Sequence, residues 1–288
     1  MKSHIIQDNA VMEFSHPREY IEQCIRSSSR TRSSHRNKED FTGTKTFEEA
    51  TDVATNGWSP EKMQGLAKNI IGRANGVKMR RVFADTSGKL SIDRYTMGLP
   101  KTLKSWKRKS EKSKRVTLAI NIGENAGVET NIFFNKAAML SAIAELCAKS
   151  NIQTEIIWVQ SANVKGYFPN LDKGLSFYTC LVPLKRFNER LQVHKLGGMM
   201  HPSSFRRLWF GLAENQDQSY DYYRWGWVDD GYGQSTRQAD LAGIHAIKEI
   251  YGRTNVIHIP SASDLELHTI DDCVKSAQKI LDQVNEIL

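Results

Sequence analysis

The 288-residue chain carries 40 Lys and Arg against 32 Asp and Glu, a formal net charge of +8, and 40% of its residues are hydrophobic. That apolar share is enough to bury a sizeable core and excludes disorder throughout. No run of about eighteen uncharged apolar residues occurs, and the opening MKSHIIQDNAVMEF lacks the charged-then-apolar order of a secretory signal, so a soluble protein with no membrane partner is expected.

The charge is uneven. Residues 1–115 hold 24 Lys and Arg against 13 Asp and Glu, and residues 116–288 hold 16 against 19. An excess of this kind in one part of a chain points to an acidic partner such as nucleic acid. The four cysteines, Cys24, Cys147, Cys180 and Cys273, show no CxxC spacing, and Cys147 and Cys180 fall in apolar segments, which suits buried thiols in a reducing compartment.

In chain order, a strand is predicted over Val11 to Phe14, followed by a short helix begun by Ser15 and Pro17. Residues 27–40 are rich in Ser and Arg and contain no apolar side chain, so a mobile loop is expected there. Arg30, Arg32 and Arg36 in that loop are candidate phosphate contacts. Thr46 and Glu49 have capping-box spacing ahead of an apolar face at Phe47, Ala50, Val53 and Ala54, with Asn56-Gly57 as its end. A second helix is predicted from Pro60 to Ile71, and Trp58 between the two is read as a packing anchor, with a base-stacking platform the alternative.

Residues 77–84 and 89–95 alternate around Asp85-Thr86-Ser87-Gly88, which predicts a β-hairpin. Lys78, Arg80 and Arg81 would add positive surface to it. The run from Lys101 to Arg115 holds eight basic residues, one acidic residue and Trp106. Cations that follow a backbone and an aromatic that stacks on any base are what a single-strand surface uses. Lys101, Lys104, Trp106, Lys107, Arg108, Lys109, Lys112, Lys114 and Arg115 are therefore candidate nucleic-acid contacts. A solvated linker and a surface for an acidic protein partner are the other readings of the same run.

Past residue 115 the pattern becomes α/β. Strands are predicted at Val116 to Ile122, Thr154 to Gln160, Leu175 to Leu184 and Asn255 to Ile259, and helices at 133–150, 187–196, 202–214, 238–251 and 270–288. Gly197-Gly198 is read as the break between two of them. Residues 215–235 place Tyr220, Tyr222, Tyr223, Trp225, Trp227 and Tyr232 among polar residues, a candidate aromatic binding surface or an aromatic lid on the domain. Asp221, Asp229 and Asp230 would repel phosphates there.

The expected organisation is a basic α+β N-terminal region over 1–100 with a β-hairpin, a basic linker over 101–115, and an α/β domain over 116–288. Its sheet is expected to be mostly parallel, Rossmann-like, with helices on both faces.

The segment VTLAINIGENAGVETN from Val116, with TEIIWVQSA from Thr154, resembles the opening of a von Willebrand factor A type domain. With FTGTKTFEEATDVATNGW from Phe41 ahead of it, the chain also resembles a family of tailed-phage proteins. The resemblance implies a von Willebrand A-like core, a phage origin and action in the cytoplasm of an infected bacterial host, and supplies no activity. That domain family places Asp-x-Ser-x-Ser at the end of its first strand to hold a divalent cation; here Asn121, Gly123 and Asn125 stand in those places. Neither an amide nor glycine offers the anionic oxygen that hard cations favour, so a degenerate metal site is expected.

No phosphate loop, GxSxG elbow, HExxH or GxGxxG occurs, and the spacing of Glu124, Glu129, Asp172 and His201 specifies no reaction. Neither catalysis nor a cofactor is expected. Two functions remain: a phage nucleic-acid-binding protein, preferring single strands, in replication or transcription, and an interaction protein whose core docks a polymerase or an ATPase.

Overall fold

The computed structural model describes residues 1–27, 39–58, 61–74, 82–84, 89–90, 92, 96–97, 103–105, 114–124, 128–163, 176–215, 236–262 and 264–288. In chain order these form β1 (Lys2–Ile6), β2 (Asn9–Glu13), α1 (Pro17–Ser27), α2 (Glu39–Thr42), α3 (Phe47–Asn56) and α4 (Glu61–Arg73). Short strands β3 (Val82–Ala84), β4 (Lys89–Leu90) and β5 (Leu103–Ser105) follow. The remainder is β6 (Lys114–Asn121), α5 (Thr130–Lys149), β7 (Ile152–Asn163), β8 (Phe177–Lys185), α6 (Val193–Met200), a π-helical segment (Ser204–Trp209), α7 (Phe210–Asn215), α8 (Arg237–Tyr251), β9 (Val256–Ile259) and α9 (Ile270–Ile287).

Six strands make one mixed sheet in the order β1-β2-β8-β7-β6-β9. The pairs β2/β8, β7/β6 and β6/β9 are parallel, and β1/β2 and β7/β8 are antiparallel. The α/β class holds, with a mixed sheet in place of a mostly parallel one. A strand covered on both faces carries apolar residues at successive positions, each facing the opposite way from the last. Leu118, Ile120, Ile156, Trp158, Cys180 and Val182 face the larger core, beneath α4, α5 and α9. Ala119, Ile157, Val159 and Leu181 face the smaller one, closed by Ala246 and Ile247 of α8.

Helix α5 is the crossover that parallel β6 and β7 require. It carries apolar residues around much of its circumference because α4, α6, α9 and β7 all pack on it. Helices α3 and α9 begin as side-chain chemistry dictates. Thr46 Oγ1 accepts from Glu49 N at 3.1 Å, and Thr269 with Asp272 forms a reciprocal capping box. All four cysteines are buried and unbridged, and burial raises every one of the thiols, Cys147 to about 12 and Cys273 to about 11.

Three expectations need correction, and one strand is added. The segments around residues 82 and 90 do not pair with each other as a hairpin: β5, from within the supposed linker, lies between them in the order β3-β5-β4. Both are antiparallel to β5 and so parallel to one another, and turn residues in a sequence do not specify which strands pair. A first strand, β1, precedes the predicted one, and the β1/β2 pair joins the main sheet through β8, with Phe14 N donating to Leu181 O at 2.9 Å. The start of the chain therefore shares a sheet with the segment past residue 116.

Residues 187–192 are turn and irregular backbone instead of helix. Gly197 and Gly198 do not separate two helices but lie inside α6. A Cβ on Gly197 would stand 1.9 Å from Trp58 O, and one on Gly198 2.3 Å from Val53 O, so the glycines permit close contact with α3 and the residues after it.

This contact gives a paired stability prediction. Gly197→Ala should destabilise the fold by about 3 kcal/mol through backbone overlap, whereas Gly65→Ala, in α4 with open space around the new methyl, should stabilise it by about 0.5–1 kcal/mol. Urea unfolding of both variants measures the two effects.

Candidate nucleic-acid interface

Most of the candidate contacts lie outside the described residues: Arg30, Arg32, Arg36, Lys78, Arg80, Arg81, Lys101, Trp106, Lys107, Arg108, Lys109 and Lys112, together with Tyr220, Tyr222, Tyr223, Trp225, Trp227 and Tyr232. Lys104 lies in β5, in register with Phe83 on one side and Lys89 on the other. Lys114 and Arg115, the end of the basic run, are exposed at the start of β6.

At that edge of the sheet β6, β7 and β9 begin and antiparallel β8 ends, so residues remote in sequence meet. Lys114 Nζ donates to Leu288 O at 3.0 Å, and Arg115 Nε to Gln153 Oε1 at 3.1 Å. The Arg115 guanidinium carbon lies 5.3 Å from the Phe187 ring centroid, and that of Arg253 lies 4.9 Å from it. Both distances are within cation–π range.

Beneath this layer is Glu155, whose carboxylate is fully buried. It accepts from Arg253 Nε at 2.7 Å and Nη2 at 3.1 Å, from Thr117 Oγ1 at 3.1 Å and from Arg186 Nη1 at 3.4 Å. The Glu155 hydrogen bond drives the Arg253 pKa still higher than usual, against the effect of burial. Arg186 lies 5.3 Å from the Tyr251 ring, and Arg190 is exposed in the turn that follows β8. This described edge thus carries Lys114, Arg115, Arg186, Arg190 and Arg253 against Glu155 and the exposed Glu189.

The basic run directs attention to Lys114 and Arg115 but not to Arg186, Phe187, Arg190 or Arg253. The signal available was position: KR precedes VTLAIN, KRF follows LVPL, and GRTN precedes VIHI, all at one end of the sheet.

The opposite end, beyond the carboxyl ends of the parallel strands, is closed by internal pairing. Lys136 Nζ, fully buried, donates to Glu124 Oε1 at 3.0 Å and to Asn121 O at 2.6 Å, and Ala262 N donates to the same Glu124 oxygen. Asn121 Nδ2 donates to Asp240 Oδ1 at 2.9 Å, and its Oδ1 accepts from Gly123 N at 2.7 Å. His258 Nε2 lies 3.5 Å from Asp240 Oδ2; burial holds its pKa down, with Asp240 opposing. The charge that would neutralise Glu124 is thus an ammonium. Among the described residues no group of three or more His, Cys, Asp or Glu side chains could hold a metal ion.

Of the remaining cleft candidates, His201 has structural partners. Glu129 precedes α5 without a side-chain capping bond, and Asp172 lies outside the described residues. The His201 ring is buried, 4.8 Å from the Trp58 centroid, with Nδ1 2.8 Å from Ser203 Oγ and accepting from Ser203 N at 3.3 Å. Arg206 and Arg207 are also buried. Arg206 donates to Phe41 O and Val128 O, and Arg207 to Thr44 Oγ1, Thr44 O and Lys45 O, so both tie the π-helical segment to the backbone around it.

Two stability measurements check these assignments. Lys136→Met leaves Glu124 buried without its cation and should cost about 3–5 kcal/mol; adding Glu124→Gln should recover part of that loss. Burial lowers the His201 pKa from 6.5 to about 4, so below pH 6.5 the unfolded chain binds a proton that the folded chain refuses. This contribution to stability is complete above pH 6.5 and declines by roughly 1.4 kcal/mol per pH unit down to about pH 4. In His201→Gln that part of the pH profile should flatten.

A family model described as a Domain of unknown function (DUF7192) matches residues 3–283, and the chain belongs to that family. No curated protein and no solved structure matches it. None of the described helices is long and apolar enough to cross a membrane.

Proposed function

We propose that this DUF7192 protein is a non-enzymatic nucleic-acid-binding protein that prefers single strands and acts in phage replication or transcription in the host cytoplasm. The observation that carries the reading is the position of Lys114 and Arg115. They are exposed at the end of a run with eight basic residues and lead onto a sheet edge where Arg186, Arg190 and Arg253 add to the positive charge. Cations on a rigid edge continuing a basic run suit a phosphate backbone. The resemblance to tailed-phage proteins supplies the biological setting.

We further read the sheet as a von Willebrand A-like core whose cation site is filled from within. The β6-α5-β7 crossover supports this reading, with Asn121 at the end of β6 and the Lys136 ammonium beside Glu124. Docking of a polymerase or an ATPase on this core is the competing function, and salt separates the two.

In a salt series with a fluorescent single-stranded oligonucleotide and duplex competitor, affinity should fall steeply with salt and favour the single strand. Replacing Lys104, Lys107, Arg108 and Lys109 together by Ala should lower the slope of log K against log salt by about 3. Absence of binding at low salt contradicts the proposal.

A further inference from the structure

Beyond Arg115 the same edge presents an aromatic ring with two guanidinium groups ranged against it. Phe187 is half-buried in the turn after β8, and Arg115 and Arg253 approach its ring to 5.3 and 4.9 Å. Arg253 is held in place: Glu155 takes two of its N–H groups, and Nη1 donates to Tyr251 O at 2.9 Å. Arg115 is steadied by Gln153, while Asn255 Nδ2 donates to Arg115 O at 3.1 Å. Arg115 lies in β6, while Phe187 and Arg253 lie in turns directly after β8 and before β9, with Arg253 tied to β7 through Glu155.

Positive charge gathered on flat groups selects for a ligand class. A planar guanidinium stacked on a ring presents a second flat surface and directs N–H donors sideways, so one group meets both an aromatic face and an anionic oxygen. An acidic peptide offers carboxylates without the flat π system. A duplex offers phosphates but keeps its base faces stacked inside. A single strand presents bases and phosphates alternately.

We propose that Phe187, with the Arg115 and Arg253 guanidiniums against it, is a base-stacking platform where a single strand leaving the basic run lays a base, and that the exposed Arg190 meets an adjoining phosphate. The proposal rests on the nucleic-acid reading above and adds residues outside the basic run. Stacking and charge neutralisation leave different signatures, because loss of a stacked base lowers affinity at every salt concentration, whereas loss of a phosphate contact lowers the salt slope.

The test uses the full chain and a fluorescent oligothymidylate of about twenty nucleotides, with an abasic strand of equal length as control. Phe187→Leu keeps apolar bulk beside the arginines and removes the π face. It should weaken oligothymidylate binding about tenfold with the salt slope unchanged, and leave abasic-strand binding as it was. Phe187→Trp should preserve affinity, and Arg190→Ala should lower the salt slope by about 0.7. Wild-type affinity in Phe187→Leu overturns the platform while leaving the nucleic-acid reading intact. A wild-type chain that binds neither strand overturns both.

Discussion

The buried carboxylate of Glu155 is the interaction on which the basic edge depends. A charge with no exposure is tolerated only when donors replace its lost hydration, and here four do: Thr117 Oγ1, Arg253 Nε and Nη2, and Arg186 Nη1. Those donors come from β6, from the turn ahead of β9 and from the turn after β8, so one carboxylate on β7 joins three neighbours. Both arginines are only partly covered, and their other contacts are internal as well: Arg253 Nη1 donates to Tyr251 O and Arg186 Nη2 to Ser15 O. The edge stays cationic while its centre is neutralised.

The two ends of the sheet are chemically opposite. Open α/β sheets bind ligands beyond the carboxyl ends of their strands, yet here Lys136, Glu124, Asn121, Asp240 and Ala262 satisfy one another at that end. A buried lysine and glutamate this close occupy the place where a ligand charge would be received. The starting edge of the strands has the converse arrangement, with exposed arginines and a half-covered ring. The proposed interface accordingly lies at the end of the sheet that the fold would not ordinarily nominate.

How much of this was legible in the sequence depended on whether a signal was local. The run before Asn121, the three-and-four repeat of Ala137, Leu140, Ile143 and Cys147, and the cap at Thr269 are statements about neighbouring residues, and the elements appear where expected. Strand β1 was illegible because its KSHII pairs on one side only, at the sheet border, and is half exposed, so it lacks a continuous apolar run. Gly197-Gly198 was misread because a helix break and a close helix crossing both favour glycine, and the deciding atom, Trp58 O, is distant in sequence. At the candidate site, Lys114 and Arg115 were visible as a charge run, whereas Phe187 and Arg253 join them only through strand pairing. The departure at Asn121 and Gly123 was readable, but its compensation by Lys136, fifteen residues later, needed the helix to bring the ammonium back to the strand end.

Amide hydrogen exchange of the full chain with and without a saturating single-stranded oligonucleotide tests the central claim most directly, because it reports on both ends of the sheet at once. The account predicts added protection at 114–117, 186–190 and 252–255, with residues 121–124, 236–240 and 258–262 unchanged. Protection confined to the second set would contradict it and assign binding to the end that Lys136 and Glu124 close.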